Sequence, residues 1–325
     1  MKDINHYNAT SVADAATKLA QTGSAPISGG TDLVTVMRAM INPNSPDTLI
    51  NLKTIPNMAY IREEGGTLKI GALTTLADIA SSSVVKGKWA ALAEAALKVG
   101  SPQLRNAGTI AGNICQETRC WYYRTEHNYF PCLKKNQQGL CHALTGDSRY
   151  HSIFGATNGC VCVNPSDTAP ALVAFGATIK TNKRDIKATD FFDVVVAPNK
   201  SAMTVLAQDE IVTEISVPAP AAGAKSAFVK VALRKAVDFP IVNCAAVIGG
   251  GSASIVLNAV AGKPRKATAA ENSIAGKSIN EANAAAAADE AVKGSVALPV
   301  TTGPGNSYVI QLAKTMVKKA ILACA

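Results

Sequence analysis

The hexapeptide SGGTDL at residues 28–33 constrains this chain more than any other stretch. It follows a strand-like run and leads into a run that reads as a helix beginning near Asp32. Adjacent glycines after a strand let backbone amides approach a phosphate, and a helix start behind them favours negative charge. The loop is neither the dinucleotide fingerprint GxGxxG nor the P-loop GxxxxGK[ST], and a tight structural turn explains it equally well. A second loop, GTIAGN at 108–113, adds Thr109, Gly112 and Asn113, and a third, NPSDTAP, follows at 164–170. Turn chemistry accounts for each loop alone but poorly for all three together.

The surrounding residues describe a globular α+β protein of more than one domain. At 325 residues the chain exceeds the usual single-domain size, and 48% hydrophobic against 17% charged residues supplies an ample core. Spacing predicts helices over 9–22 and 88–101, strands over 49–56 and at the start of 67–80, and a helix running into a strand over 169–179. RNAGTIAGNIC (105–115) reads as a glycine-punctuated loop. From about 203 the order changes: TVLAQDEIVTEISVP, SAFVKVALRK, PIVNCAAVIGG and SASIVLNAVAG read as strands, with helices last. A boundary is expected near 215–222, in the Pro/Ala/Gly-rich stretch VPAPAAGA.

Several function classes are disfavoured. No run approaches the roughly 18 apolar residues of a membrane span. MKDINHYNATSVADAATKL has no apolar signal core, so export is not expected and a cytoplasmic protein is, with the periplasm reached only if a partner carries the signal. The net charge of +9 is scattered, with no basic stripe interleaved with aromatics, so nucleic acid is not the expected partner. A basic face that docks onto an acidic subunit suits it better.

Between the second and third loops lies a segment of different character. Six of the eight cysteines fall within 115–162, beside Trp121, Tyr122, Tyr123, Tyr129, Phe130, Tyr150 and Phe154. Eight cysteines in this length is not disulfide density. The ladder Cys120, Cys132, Cys141 and Cys160 has gaps of 11, 8 and 18 residues and lacks the Cys-x₂₋₄-Cys pair that usually starts a zinc site. Cys115-x₄-Cys120 begins the plant-type ferredoxin spacing, but position 123 is Tyr. Core thiols leave the aromatic clustering unexplained, whereas an iron–sulfur cluster needs four thiolates and low-polarity surroundings. His127, His142 and His151 are expected at the surface or behind the ligands. Cys244 and Cys324 sit in apolar contexts as core thiols.

SGGTDL, INLKTIP, GALTTLADI, SPQLRNAGTIAGN and PSDTAPALVAFGA, in that order, resemble the FAD-binding subunits of the molybdenum hydroxylases, and FVKVALRKAVDFPIVNCAAVI resembles the start of their C-terminal domain. The resemblance implies a two-part FAD-binding domain of the vanillyl-alcohol-oxidase type and a smaller α+β domain like that of the carbon monoxide dehydrogenase flavoprotein. Their expected spans are 1–57, 58–218 and 219–325. It implies that Ile27, Ser28, Gly29, Gly30, Thr31, Asp32 and Leu33 wrap the FAD pyrophosphate. Thr109, Gly112 and Asn113 would form the second phosphate loop, Asp167 would contact the nucleotide, and Val212 and Lys230 would lie near the flavin ring.

A subset of that family, including 4-hydroxybenzoyl-CoA reductase and certain bacterial aldehyde oxidoreductases, inserts a [4Fe–4S] loop where this chain has residues 116–160. By that likeness Cys120, Cys132, Cys141 and Cys160 are the ligands. Cys115 is set aside, and Cys162 is expected to point away from Cys160. The resemblance further implies a molybdopterin-binding large subunit and a small subunit with two [2Fe–2S] clusters, as a dimer of heterotrimers. It implies electron transfer between those clusters, FAD and an external carrier such as a ferredoxin, with substrate chemistry on a partner. A hydroxybenzoyl-CoA reductase-like complex is the leading expectation, and an aldehyde or N-heterocycle dehydrogenase the alternative. A stand-alone flavin oxidoreductase and a zinc-stapled interaction module are the more distant readings.

Overall fold

The structure, a computed structural model, describes residues 3–135, 141–197, 200–299 and 302–325. Residues 136–140, part of the expected cluster insertion, lie outside the described residues. The first layer is a three-stranded parallel sheet with Thr48–Asn51 at its centre, flanked by Asn5–Asn8 and Ser24–Ile27. Helix Val12–Leu19 crosses between the flanking strands; the Ser11 hydroxyl caps it by accepting the Asp14 N–H at 3.1 Å, and it buries Ala15 and Leu19. Helix Leu33–Arg38 makes the second crossover. SGGTDL therefore leaves the carboxyl end of a parallel strand, the edge at which such sheets bind ligands.

The second sheet is antiparallel, in the order Ile61–Glu64, Thr67–Gly71, Val212–Pro218, Thr178–Thr181, Asp185–Lys187. Its third strand comes from the run that the sequence groups with the later strands; pairing on both edges returns it here. The third sheet is a four-stranded antiparallel meander, Lys225–Val231, Val242–Gly249, Ser252–Asn258 and Arg265–Lys266. Side chains alternate across its second strand, as the period of two requires. Val242, Cys244, Ala246 and Ile248 face a core shared with helices Thr268–Ile274, Glu281–Ala291 and Ser307–Leu322, while Ala245 joins the main core. Helix Thr168–Ala174 is buried along its whole length, which explains its apolar, small-residue sequence.

RNAGTIAGNIC is not a loop. It forms the short helices Pro102–Ala107 and Ile110–Ile114. Hydroxyl caps compensate for the weak periodicity: Ser101 accepts the Leu104 N–H with Pro102 opening the helix, and Thr109 accepts the Gly112 N–H. The hairpin Phe192–Ala197/Lys200–Thr204, which packs against the cysteine segment, has no counterpart in the sequence reading. No helix among the described residues is long and apolar enough to cross a membrane.

Candidate functional site

The three loops converge. Ser28 Oγ and Thr109 Oγ1 are 3.0 Å apart, which joins the first loop to the second. Asn113 Oδ1 accepts from Ser166 Oγ at 2.6 Å and from Thr168 Oγ1 at 2.7 Å, which joins the second to the third. Together they line one cavity of about 620 Å³, to which Ile27–Leu33, Thr109, Gly112, Asn113 and Asp167 all contribute. Gly30 has φ +69°, the left-handed region that favours glycine. At Gly29 a Cβ would come within 2.3 Å of the Ala107 carbonyl oxygen, so only glycine lets the two loops meet backbone to backbone. A cleft walled by bare backbone and small hydroxyl residues suits an extended dinucleotide, whose phosphates need close N–H donors.

Asp167 closes one side of this cavity. Its Oδ2 accepts from Lys230 Nζ at 2.6 Å and its Oδ1 from Asn243 Nδ2 at 2.8 Å. Lys230 also donates to the carbonyls of Lys98 and Asp238. Complete burial raises the Asp167 carboxyl to about 6, outweighing the attraction of Lys230. Lys230 thus reaches the cavity through Asp167. Val212 does not: it is buried in the main core and is not among the residues that line the cavity.

Asp32 lines the cavity, but its carboxylate is engaged by the cysteine segment. Oδ1 pairs with Arg119 at 2.8 Å and Arg124 at 2.9 Å, and Oδ2 accepts the Glu117 N–H at 3.0 Å. Burial alone would raise this carboxyl; Arg119 and Arg124 outweigh it and hold it below the usual range. Arg119 also stacks on Phe239, its guanidinium carbon 4.1 Å from the ring centroid. Sequence reasoning missed this node, because nothing local links Asp32 to residues 85 to 92 positions away.

Beyond the node, a small cavity of about 20 Å³ is lined by Cys120, Cys132, Cys141, Cys160 and Cys162, with no acidic side chain lining it among the described residues. Burial raises the thiols of Cys120, Cys132 and Cys141, while backbone N–H groups of Tyr122 and Tyr123, of Lys134 and Lys135, and of Ala143 and Val161 point at the respective sulfurs. Cys160 is lowered, the Cys162 side chain first and then Lys134 favouring its thiolate, and Cys162 is raised in turn; the Cys162 Sγ lies 4.0 Å from Met203 Sδ. Soft thiolates ringed by amide donors have the donor chemistry that an iron–sulfur cluster takes. No three His, Cys, Asp or Glu side chains among the described residues are arranged to hold a single metal ion.

Two expectations about this segment are corrected. Cys162 does not point away from Cys160; residues i and i+2 of an extended run share a face, and both thiols line the same cavity. The aromatic surround is partial. Tyr122 and Tyr123 line the thiol cavity, but Phe154 packs against the C-terminal core and under Arg265, and Tyr129 is 73% exposed. Cys115 faces the larger cavity instead. His151 is buried with Nε2 3.2 Å from Cys120 Sγ, and burial lowers it to about 4, so it is neutral. His142 Nε2 lies 2.8 Å from the Pro131 carbonyl.

A glycine-walled cleft at the end of a parallel sheet, backed by an antiparallel sheet and an α+β cap, defines an FAD-binding domain. Residues 2–220 match the family described as FAD binding domain in molybdopterin dehydrogenase, and residues 227–324 match the CO dehydrogenase flavoprotein C-terminal domain. The chain belongs to this family of FAD-binding oxidoreductase subunits. It is similar to the aldehyde oxidoreductase FAD-binding subunit PaoB of Escherichia coli (strain K12), at 33% identity over 83% of this chain and 86% of that one. It is also similar to the carbon monoxide dehydrogenase medium chain of Hydrogenophaga pseudoflava, at 30% identity over 98% of this chain and 96% of the relative. A solved carbon monoxide dehydrogenase from that organism, lacking the Mo-pyranopterin moiety of its cofactor, superposes with a TM-score of 0.75, covering 99% of this chain and 97% of that one at 27% identity.

Proposed function

We propose that this chain is the electron-transfer subunit of a heteromeric molybdenum-cofactor oxidoreductase, carrying FAD in the large cavity and a [4Fe–4S] cluster in the cysteine segment. Its partners are a molybdopterin-binding large subunit and a small subunit with two [2Fe–2S] clusters, assembled as a dimer of heterotrimers, with an external one-electron carrier. The spans 1–57, 58–218 and 219–325 are proposed as its folding units, and the cytoplasm as its compartment unless a partner carries an export signal. The observation that carries the reading is the five-thiol cavity joined through Glu117, Arg119 and Arg124 to the loop SGGTDL.

When bound, FAD and the cluster supply the redox chemistry, as cofactors do. The protein's residues bind, orient and insulate. Gly29, Gly30 and Thr109 offer backbone donors and close approach to the pyrophosphate. Asp167, held by Lys230 and Asn243, offers an oriented carboxyl group to the nucleotide. Cys120, Cys132, Cys141 and Cys160 are the proposed ligands, and Cys162 lines the same cavity beside Cys160. The likeness to an aldehyde oxidoreductase FAD-binding subunit favours an aldehyde as the substrate of the large subunit, with electrons leaving the molybdenum site. That replaces the hydroxybenzoyl-CoA thioester as the leading substrate class.

The test is a flavin, iron and acid-labile sulfide determination on the anaerobically purified full-length chain. One FAD with four iron and four sulfide supports the reading; FAD without sulfide overturns the cluster assignment. Aldehyde-dependent dye reduction by the co-purified complex, absent with aromatic thioesters, tests the substrate class.

A further inference from the structure

Lys134 is 1% exposed. A lysine so buried is rare, since removing an ammonium from water costs several kcal/mol unless partners compensate. Its Nζ donates to Glu117 Oε2 at 2.7 Å and to the Ala202 carbonyl at 3.2 Å, and it lies 5.3 Å from the Tyr123 ring centroid. The same residue lines the thiol cavity with the five cysteines, and its ammonium lies close enough to favour the thiolates of Cys160 and Cys162. Its carboxylate partner does not line that cavity. Glu117 lines the flavin cavity instead, and its backbone N–H donates to Asp32. The buried ion pair is therefore oriented, with its positive end toward the thiols and its negative end toward the flavin side.

Resting on the assignment of a thiolate-bound cluster to Cys120, Cys132, Cys141 and Cys160, we infer that Lys134 and Glu117 act together as a fixed dipole that sets the cluster's reduction potential. Reduction adds one electron and makes the thiolate-ligated centre one unit more negative. A buried cation on the cavity wall favours that state; its part-buried carboxylate partner, one side chain further off, opposes it less strongly. Bulk water would screen the two heavily; at this largely desolvated wall, where the effective dielectric is nearer ~20, both act several times more strongly. Lys134 is a positioning and tuning residue in this scheme, since it neither ligates nor reacts.

The scheme predicts opposite signs for two substitutions at one ion pair. Lys134→Met removes the cation and leaves the anion, so the midpoint falls. Glu117→Gln removes the anion and leaves the cation, so the midpoint rises. The double variant returns toward wild type. The Lys134→Met shift is expected to change the reduced-to-oxidised ratio at fixed potential about tenfold, equivalent to ~59 mV for one electron, and the Glu117→Gln shift to be smaller and of opposite sign. The experiment is an EPR-monitored redox titration of the full-length, cluster-loaded chain, with Lys134→Arg as the charge-conserving control.

Opposite shifts, with Lys134→Arg near wild type, support the inference. Shifts of the same sign, or a Glu117→Gln midpoint equal to wild type, overturn it, because a pair that merely holds the segment in shape has no sign. If Lys134→Met fails to retain the cluster, the Glu117→Gln titration alone decides. A wild-type chain without acid-labile sulfide overturns the underlying cluster assignment, and this inference with it; that outcome is distinct from a loaded chain whose midpoint ignores the charges.

Discussion

Asp32→Asn tests how the cysteine segment is joined to the flavin cavity. The carboxylate binds two guanidiniums and one backbone N–H, and the side chains of Asp32, Arg119 and Arg124 are 19%, 24% and 13% exposed. Asparagine keeps the shape and one acceptor oxygen but leaves two largely buried cations facing an amide. Breaking a buried pair on one side costs ~3–5 kcal/mol; the residual exposure and the retained oxygen put this case near ~3 kcal/mol. Helix capping contributes nothing to the loss, since Asp32 makes no side-chain cap bond to Leu33–Arg38. Because the bonds run between segments, the loss appears as local opening of 115–125, not as unfolding of the sheets. At about 1.4 kcal/mol per tenfold, amide hydrogen exchange there accelerates roughly a hundredfold. The Asp32 carboxyl is held below its ordinary range, so its contribution is present at neutral pH and disappears as pH falls through that lowered value. The variant and wild type should therefore converge in acid. Unchanged exchange over 115–125 at neutral pH, or an equal difference at every pH, refutes the reasoning.

Gly29→Ala puts a Cβ 2.3 Å from the Ala107 carbonyl oxygen; it should purify with little FAD, read from the flavin-to-protein absorbance ratio, while Gly87→Ala, where a Cβ meets nothing, keeps its flavin. The Asp167 carboxyl is raised to about 6 by burial, so the stability it confers is complete below its unfolded value and fades as pH rises through 6. Asp167→Asn should flatten that part of the pH–stability curve, by ~3 kcal/mol at most for a shift of about two units. Cys120→Ser should lose most acid-labile sulfide, whereas Cys115→Ser keeps it, because Cys115 faces the flavin cavity and not the thiol cavity. Cys162→Ser should retain the cluster, and its loss would move Cys162 into the ligand set.

Much of the site was legible in the sequence because its requirements are local. A Gly-Gly turn between strand and helix, a hydroxyl at a helix start and a cysteine ladder all show themselves within a few residues. The short helices at 102–107 and 110–114 were not legible, since caps and packing stabilise them and periodicity does not. Cys160 and Cys162 share a face because residues two apart in an extended run do so, against the expectation that they point apart.

By itself the sequence determined which residues could carry the chemistry: three small-residue loops, a carboxylate at 167 and six clustered thiols. Only the tertiary structure decided their relations. It closed the loops onto one cavity and turned the Asp32 carboxylate away to Arg119 and Arg124. It removed Val212 to the core and buried Lys134 against Glu117 on the wall of the thiol cavity. The reason is physical: turns and caps are settled by neighbours in the chain. The partners of a buried charge are settled by whichever distant group arrives, and a buried charge without a partner costs too much to persist.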